Sequence, residues 1–318
     1  MSANIAVIIP AYNAERFIGE AIESALSQTL KPDEVIVVDD CSSDATCRVV
    51  ESFGDAVTLL RNQTNSGAGY SRNRGVRHSK NEFVAFLDAD DLWLPRHLES
   101  LSSLLVRWPD AGLAFARTEH LGVSRDPWPP LCDIPAVPSD LLLRTLREGF
   151  LIPSMMAMRK SAFESIGGFP ERDEYFVQGR VQIEDYILAL RMALKFKMVG
   201  SPEITVRYRF HAQQSSRKYC QLQIARFDYR LKMLVQWDSL ACSVPKPVVF
   251  DRVVRDWEQT LNTTWAARNM ADLRRLCLFG MRHISLWHPL VHYLPRALLP
   301  TQAIRMLQVH PGRGVRSE

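Results

Sequence analysis

The chain has no Cys-x-x-Cys pair, no long uninterrupted apolar run and no large excess of either charge. Its six cysteines, at 41, 47, 132, 220, 242 and 277, are scattered. That argues against a zinc site or a disulfide framework and fits a reducing compartment. A spanning helix needs about 18 or more consecutive apolar residues, and none is found. The formal net charge is +4 over 318 residues, without the dense basic patches of a nucleic-acid binder; no nucleic-acid partner is expected. The opening Met1-Ser-Ala-Asn-Ile-Ala-Val-Ile-Ile-Pro10 has no basic stretch ahead of an apolar segment of signal length and reads as a first strand. A Walker loop is missing. So is a Gly-x-Gly-x-x-Gly turn after the first strand, where Pro10-Ala-Tyr-Asn13 stands instead.

What is present is ordinary globular composition, 47% hydrophobic and 23% charged, enough for one large domain or two smaller ones. Its most telling stretch is Phe83-Val-Ala-Phe-Leu-Asp-Ala-Asp-Asp91. Five apolar residues make a buried strand, which then releases Asp88, Asp90 and Asp91 within four positions. Carboxylates crowded at a strand end repel unless a counter-charge is supplied. A hard divalent cation, Mg²⁺ or Mn²⁺, supplies it, because such ions take oxygen ligands and share them with substrate phosphates. The bland alternative is a solvated acidic turn.

The first part of the chain alternates strand and helix patterns. Ile5–Ile9 is an apolar run stopped by Pro10. Phe17, Ile18, Ala21, Ile22, Ala25 and Leu26 recur at helical spacing behind a cap at Asn13. Val35–Val38 is a β-branched run ending at Asp39-Asp40, and Ser42 and Ser43 offer caps for a helix carrying Val49, Val50 and Phe53. Val57–Leu60 and Phe83–Leu87 read as the third and fourth strands. This alternation predicts βαβ units and a mostly parallel central sheet flanked by helices. Ligands of such sheets sit at the carboxyl ends of the strands, where Pro10-Ala11-Tyr12, Asp39-Asp40 and Asp88-Ala-Asp-Asp91 all lie. Residues 124–139 hold five prolines and predict a long loop over the active face. Met155–Met158 and Ile204–Phe210 read as strands and Gln182–Leu194 as a helix. From about 220 the pattern is helical to the end.

Four blocks occur in order. They are Ala6-Val-Ile-Ile-Pro-Ala-Tyr-Asn13 through Val35-Ile-Val-Val-Asp-Asp40; Asn65-Ser-Gly-Ala-Gly-Tyr-Ser-Arg-Asn-Arg-Gly75; Phe86-Leu-Asp-Ala-Asp-Asp91; and Gly167-Gly-Phe169 followed by Glu184-Asp185. Together they resemble the family 2 glycosyltransferases of the GT-A group, over about residues 3–215. The resemblance implies a GT-A, Rossmann-like catalytic domain over 1–215, with a nucleotide-binding half to about 118 and an acceptor-side half from about 119. A helical region would follow over 216–318.

Each block also has a physical reading. Pro10, Ala11, Tyr12 and Asn13 leave the first strand in a tight turn; Tyr12 could border a nucleotide base or merely anchor the loop. Asp39 can accept a hydrogen bond from a base N–H, and the resemblance places uracil there. Asp40 and Asp44 could be solvated turn and capping residues, with Asp44 read as a cap. Gly67-Ala-Gly69 precedes a basic helix start; small residues let backbone approach a ligand and helix N-termini favour anions. The resemblance makes Arg72 the nucleotide-contacting arginine. It makes Asp90 the direct metal ligand and Asp88 a contact of ribose and metal, with Ala89 beside them. Asp91 would touch the donor sugar, and His211 is a candidate further metal ligand, set against a merely structural histidine. Glu184 and Asp185 open a helix and do not share a face, so one can meet the cleft and the other solvent or Arg180. The resemblance makes Asp185 the general base, set against two acids favoured by a helix dipole.

The function so implied is inverting, metal-dependent sugar transfer from a nucleotide-diphospho-sugar, a UDP-sugar above all, with Mn²⁺ or Mg²⁺ as cofactor. The acceptor would be a glycan or lipid-linked hydroxyl in surface polysaccharide or lipopolysaccharide synthesis. The Gln-x-x-Arg-Trp block of processive synthases is missing, since Gln236-Trp237 lacks the spacing; single addition is implied. Two alternatives are a non-catalytic nucleotide-sugar-binding or membrane-docking module, and a sugar nucleotidyltransferase. Residues 280–318 carry five arginines against Glu318 alone, with Trp287, Leu290, Val291, Tyr293, Leu294, Leu298 and Leu299. That mix could lie on the inner, anionic face of the cell membrane or cap the catalytic domain. The expected location is cytoplasmic, with this peripheral contact as a candidate.

Overall fold

The computed structural model describes residues 4–121, 135–148, 151–171, 183–211, 219–236, 244–266 and 269–280. Chain contacts divide it into two units, one of Met1–Arg217 with 238–243 and one of Lys218–Trp237 with 244–318.

The first unit is an α/β fold on an eight-stranded sheet of order β3-β2-β1-β4-β7-β6-β8-β5. The strands are β1 (Ile5–Ala11), β2 (Glu34–Asp39), β3 (Thr58–Arg61), β4 (Phe83–Phe86), β5 (Leu92–Trp93), β6 (Ala111–Leu121), β7 (Met156–Arg159) and β8 (Lys197–Arg209). The expected fold class stands, but the sheet is mixed. β3, β2, β1 and β4 run parallel, β7 runs antiparallel to β4 and β6, β6 and β8 are parallel, and β5 is antiparallel to β8. All seven residues of β1 are buried, as expected for a strand covered on both faces. Pro10 does not stop it. Proline's fixed φ is tolerated in extended backbone, and Pro10 stays in register with Val38 and Ala11 with Asp39.

Helix α1 (Ile18–Leu26) buries Ile18, Ala21, Ile22 and Ala25, the apolar stripe of an amphipathic helix; each isoleucine contributes roughly 1.5–3 kcal/mol by leaving water. Asn13 does not cap it, since no side-chain cap bond is made and the residue before the helix is Phe17. Helix α2 (Thr46–Glu51) follows Asp44, whose carboxylate accepts the Thr46 N–H at 3.0 Å; the serines do not cap it. Helix α3 (Ala68–His78) lies flush on β1. A Cβ on Gly75 would stand 2.5 Å from Ile8 Cγ2, so only glycine allows that approach. Helices α4 (His97–Arg107), α5 (Leu142–Glu148), α6 (Lys160–Ser165) and α7 (Glu184–Lys195) complete the unit. Met155 belongs to a 3-10 turn, Pro153–Met155, just before β7. Most of the proline-rich 124–139 segment lies outside the described residues; its end, at Ser139, bridges to Met198.

Strand β6 gives no strong sequence signal. Its buried half, Ala111-Gly-Leu-Ala-Phe-Ala116, has no β-branched residue, and what makes it a strand is pairing with β7 and β8.

The second unit contains α8 (Tyr219–Val235), α9 (Lys246–Ala266) and α10 (Met270–Gly280), with Phe227, Val253, Trp257, Leu261 and Leu276 among its buried side chains. No described helix is long and apolar enough to cross a membrane. Residues 281–318, on which the membrane expectation rests, lie outside the described residues.

Candidate active site

The acidic segment leaves β4 at the carboxyl end of the parallel strands and returns as β5. Its three carboxylates meet three different partners. Asp91 is fully buried. Its Oδ2 accepts the Ser154 hydroxyl at 2.6 Å and its Oδ1 the Arg209 N–H at 3.1 Å. Burial, with Asp90 and Asp88 nearby, raises its pKa well above the usual carboxylate range. Asp91 is therefore an internal anchor of the loop, which corrects the expectation of a donor-sugar contact: both its oxygens are already bonded inside the protein. Ser154 Oγ also accepts the Asp88 N–H at 3.0 Å, so one hydroxyl pins both ends of the segment.

Asp88 and Asp90 keep partly open side chains, 24% and 32% exposed. Asp90 Oδ2 lies 2.8 Å from His211 Nε2. Burial and the Asp88 charge raise the Asp90 pKa, and His211 opposes the rise. His211 packs at 5.1 Å on the Phe17 ring. Arg209 lies over the same Phe17 ring at 4.8 Å, donates from Nε to the Asp90 carbonyl at 2.8 Å, and pairs with Glu20 at 2.8 Å. The start of α1 and the end of β8 thus hold Asp90 and His211 together across 121 positions of sequence.

Among the described residues no three His, Cys, Asp or Glu side chains converge as a ready metal cage. A hard cation that takes one or two carboxylates and fills its shell with phosphate oxygens needs no such cage. The fit of Mg²⁺ or Mn²⁺ rests on the carboxylates themselves: Asp90, crowded by Asp88 and burial, has its charge disfavoured, and a cation would relieve that. The oxygen donors and one imidazole suit these ions.

Behind Asp88 stands Arg72. Its Nη2 lies 2.7 Å from Asp88 Oδ1 and its Nη1 3.2 Å from Glu184 Oε1. Burial works against its charge, but Asp88 and Glu184 outweigh it and raise its pKa. Its guanidinium lies 5.0 Å from the Phe169 ring centroid. At 4% exposure Arg72 turns its guanidinium to Asp88 and Glu184 and not to solvent, against the expectation of a direct nucleotide contact. Next to it, the Asn73 amide donates to the Phe169 carbonyl at 2.9 Å and accepts the Phe169 N–H at 3.0 Å. Helix α3 therefore joins the acidic segment to the Gly167-Gly-Phe169 block and to α7.

At the start of α7 the two acids diverge. Glu184 is 5% exposed, and its pKa is raised by burial against the pull of Arg72. Asp185 is half-buried, accepts the Tyr186 N–H at 2.6 Å, and acts electrostatically on both Arg72 and Glu184. Arg180 lies outside the described residues.

The exits of β1 and β2 are laced together. Asn13, at φ 48°, donates its N–H to the Ser42 hydroxyl at 2.9 Å and accepts the Ser43 N–H on its side-chain oxygen at 2.8 Å. Tyr12 is 53% exposed beside them, and Pro10 and Ala11 are buried. Asp39 is buried and accepts the Ser42 N–H through Oδ2 at 3.1 Å. Its Oδ1 is buried and has no hydrogen-bond partner. Cys47 lies close enough for Asp39 to add to the burial that raises the thiol pKa.

Asp40 is no solvated turn residue. It is buried and accepts Asn62 Nδ2 at 2.7 Å, the Ser66 N–H at 2.8 Å and the Gly67 N–H at 2.7 Å. The N–H of Gly67, in the segment whose small residues are expected to let backbone approach a ligand, is taken by the protein's own carboxylate. Ala89 is half-buried in the acidic turn. Ser154, Phe17, Arg209 and the buried role of Glu184 escaped the sequence reading. A serine after proline and an arginine alternating along a strand carry no signal until strand pairing brings them to the cluster.

Comparisons with known proteins fit this geometry. The profile described as Glycosyl transferase family 2 matches residues 6–167. An uncharacterized glycosyltransferase of Haemophilus influenzae is 28% identical over 214 residues, 67% of this chain and 70% of that protein. The UDP-Glc:alpha-D-GlcNAc-diphosphoundecaprenol beta-1,3-glucosyltransferase WfgD of Escherichia coli is 39% identical over 104 residues, 32% of this chain and only 41% of that protein. Among solved structures, S. aureus TarS 1-349 in complex with UDP-GlcNAc has a TM-score of 0.61 at 17% identity, covering 87% of this chain and 80% of that one. The mannosyltransferase PcManGT of Pyrobaculum calidifontis, in complex with GDP-Man and Mn²⁺, has 0.54 at 18%, covering 97% and 79%. At these identities the structural likeness speaks for the fold.

Proposed function

The chain belongs to glycosyl transferase family 2 and is a transferase, and on that premise we propose that it moves a sugar from a nucleotide-diphospho-sugar to a hydroxyl with inversion, dependent on a divalent cation. The observation that carries this reading is Arg72, whose single guanidinium touches both Asp88 of the acidic segment and Glu184, the neighbour of Asp185. A donor-side carboxylate and the helix turn that carries the candidate base are thereby joined through one side chain.

Asp39, whose buried Oδ1 has no hydrogen-bond partner, would accept a base N–H, with the exposed Tyr12 ring bordering the base; the base read there is uracil. Asp90 and Asp88, with His211 beside Asp90, would hold Mn²⁺ or Mg²⁺, and the bound ion would supply Lewis-acid neutralisation of the leaving diphosphate. Asp185 takes the proton from the acceptor hydroxyl as that oxygen bonds to the anomeric carbon. The bond from that carbon to the diphosphate oxygen breaks, and its electron pair leaves with the nucleoside diphosphate. One displacement inverts the centre. The E. coli relative, named for a GlcNAc-diphosphoundecaprenol acceptor, supports a lipid-linked glycan acceptor in polysaccharide synthesis, reached by peripheral contact with a membrane.

Calorimetric titration with UDP, with and without Mn²⁺, followed by metal-dependent hydrolysis across a panel of nucleotide-sugars, tests the reading. Tighter UDP binding with Mn²⁺ and hydrolysis of one donor are expected. Asp90→Ala and Asp185→Asn should each abolish transfer while leaving the protein folded; normal turnover by either would sink the assignment.

A further inference from the structure

The Arg72 guanidinium sits between two carboxylates with one contact to each, 2.7 Å to Asp88 and 3.2 Å to Glu184. Two further bonding groups there are unused. Arg72 Nε and Glu184 Oε2 are both buried without a hydrogen-bond partner. A buried donor and a buried acceptor left unmade on neighbouring side chains are costly. A forked, two-bond pair between a guanidinium and a carboxylate would satisfy both, and it is the stronger arrangement. Arg72 can form that pair only by turning from Asp88 toward Glu184. The surroundings permit little else. The guanidinium lies on the Phe169 ring. The approach of α3 to α7 is also tight: a Cβ on Gly69 would stand 2.9 Å from the Pro170 carbonyl oxygen and 3.5 Å from Glu184 Cβ.

We propose that Arg72 and Glu184 form a handover device: Glu184 receives the guanidinium when Asp88 is claimed by the cation and diphosphate. Arg72 is the positive charge that Asp88 faces within the protein itself. Glu184 is a positioning residue; it keeps a positive charge from remaining fixed on a carboxylate that the ion needs. Removing its charge leaves Arg72 committed to Asp88 and makes the cation compete with a dedicated partner. This rests on the reading of Asp88 and Asp90 as the cation–diphosphate ligands.

The test uses the full chain. Mn²⁺ binding is read by water-proton relaxation, and UDP binding is measured separately in the presence of chelator. Glu184→Gln is nearly isosteric and should weaken Mn²⁺ binding roughly ten- to a hundredfold, the range for loss of an outer-shell partner, with metal-free UDP affinity unchanged. Glu184→Asp keeps the charge but withdraws it by one methylene; it should fall between wild type and the amide, and it carries the test should the amide not fold. Mn²⁺ affinity equal to wild type in both variants overturns the handover. So does an equal loss of Mn²⁺ and metal-free UDP affinity, which would report general distortion. Failure of wild type itself to take up Mn²⁺ overturns the donor-site reading beneath it, and so the two failures are distinct.

Discussion

Acidification should destabilise this protein through His97, a residue outside the acidic cluster. His97 opens α4 with no solvent exposure. Its ring stacks on Trp93 at 4.3 Å, its Nδ1 lies 2.8 Å from Thr205 Oγ1, and its Nε2 is buried without a partner. Burial lowers its pKa from 6.5 to about 3. A base with a lowered folded pKa takes its proton more readily when unfolded. The contribution is therefore complete above pH 6.5 and is lost as pH falls toward 3. Each pH unit in that window is worth ~1.4 kcal/mol, so roughly 2 kcal/mol should vanish between pH 7.5 and 5.

The assay is chemical denaturation at the two pH values, followed by tryptophan fluorescence. In His97→Gln the amide can still meet Thr205 but does not titrate. That variant should be less stable at pH 7.5 through poorer packing, yet lose about 2 kcal/mol less on acidification than wild type. Equal losses in the two proteins would refute the account, because they would show that His97 is not protonated on unfolding. The effect should reach the candidate site as well. Trp93 donates its Nε1–H to the Ser154 carbonyl at 2.8 Å, and Ser154 pins Asp88 and Asp91.

Two other outcomes are expected. Asp40→Ala strips the acceptor from the N–H groups of Ser66 and Gly67 and from the Asn62 amide; it should cost about 2–4 kcal/mol in denaturant unfolding and weaken UDP binding, and a cost below that of an ordinary surface change would show the loop to be held elsewhere. Phe17→Ala removes the ring shared by His211 and Arg209; Mn²⁺ affinity should fall roughly tenfold with metal-free UDP affinity kept, and unchanged Mn²⁺ affinity would remove Phe17 from the support of Asp90.

The parallel strands were legible because strands buried on both faces read as continuous apolar runs, as Ile5–Ile9 and Val35–Val38 do. Polar groups at their carboxyl ends followed from the topology. Strand β6 was hidden by its alanine and glycine content, and the antiparallel insertion of β7 by pairing partners far apart in sequence. The site divides in the same way. Asp88 and Asp90 stand out as a crowded strand exit, whereas the assignment of Asp185 came with the family resemblance. The burial of Arg72 and Asp91 could not be read, because Glu184 lies 112 positions from Arg72 and Arg209 118 from Asp91. A residue type announces its charge; only the fold decides which charge stands opposite.

Asp90 and Asp91 make that point testable, since neighbours of identical chemistry should respond in opposite ways to one substitution. Asp91 accepts a hydrogen bond on each oxygen, from the Ser154 hydroxyl and the Arg209 N–H. An asparagine there must turn its NH₂ toward one of these partners. The Ser154 hydroxyl can rotate to accept, but it then gives up its own donation, while the backbone N–H of Arg209 cannot accept. Asp91→Asn should cost about 1–3 kcal/mol of stability, the penalty for a buried group left unsatisfied, and should weaken Mn²⁺ binding only through the disturbed loop. Asp90 is partly open and touches His211 through one oxygen. Asp90→Asn removes a charge that burial and Asp88 already disfavour, so stability should hold or rise slightly while Mn²⁺ binding is lost. Paired denaturation and Mn²⁺ titration of the two variants decide the matter. If both lose Mn²⁺ binding at unchanged stability, Asp91 is a ligand after all and its internal hydrogen bonds give way when the cation binds. If both lose stability alone, the acidic segment is an internal brace and the cation site lies elsewhere.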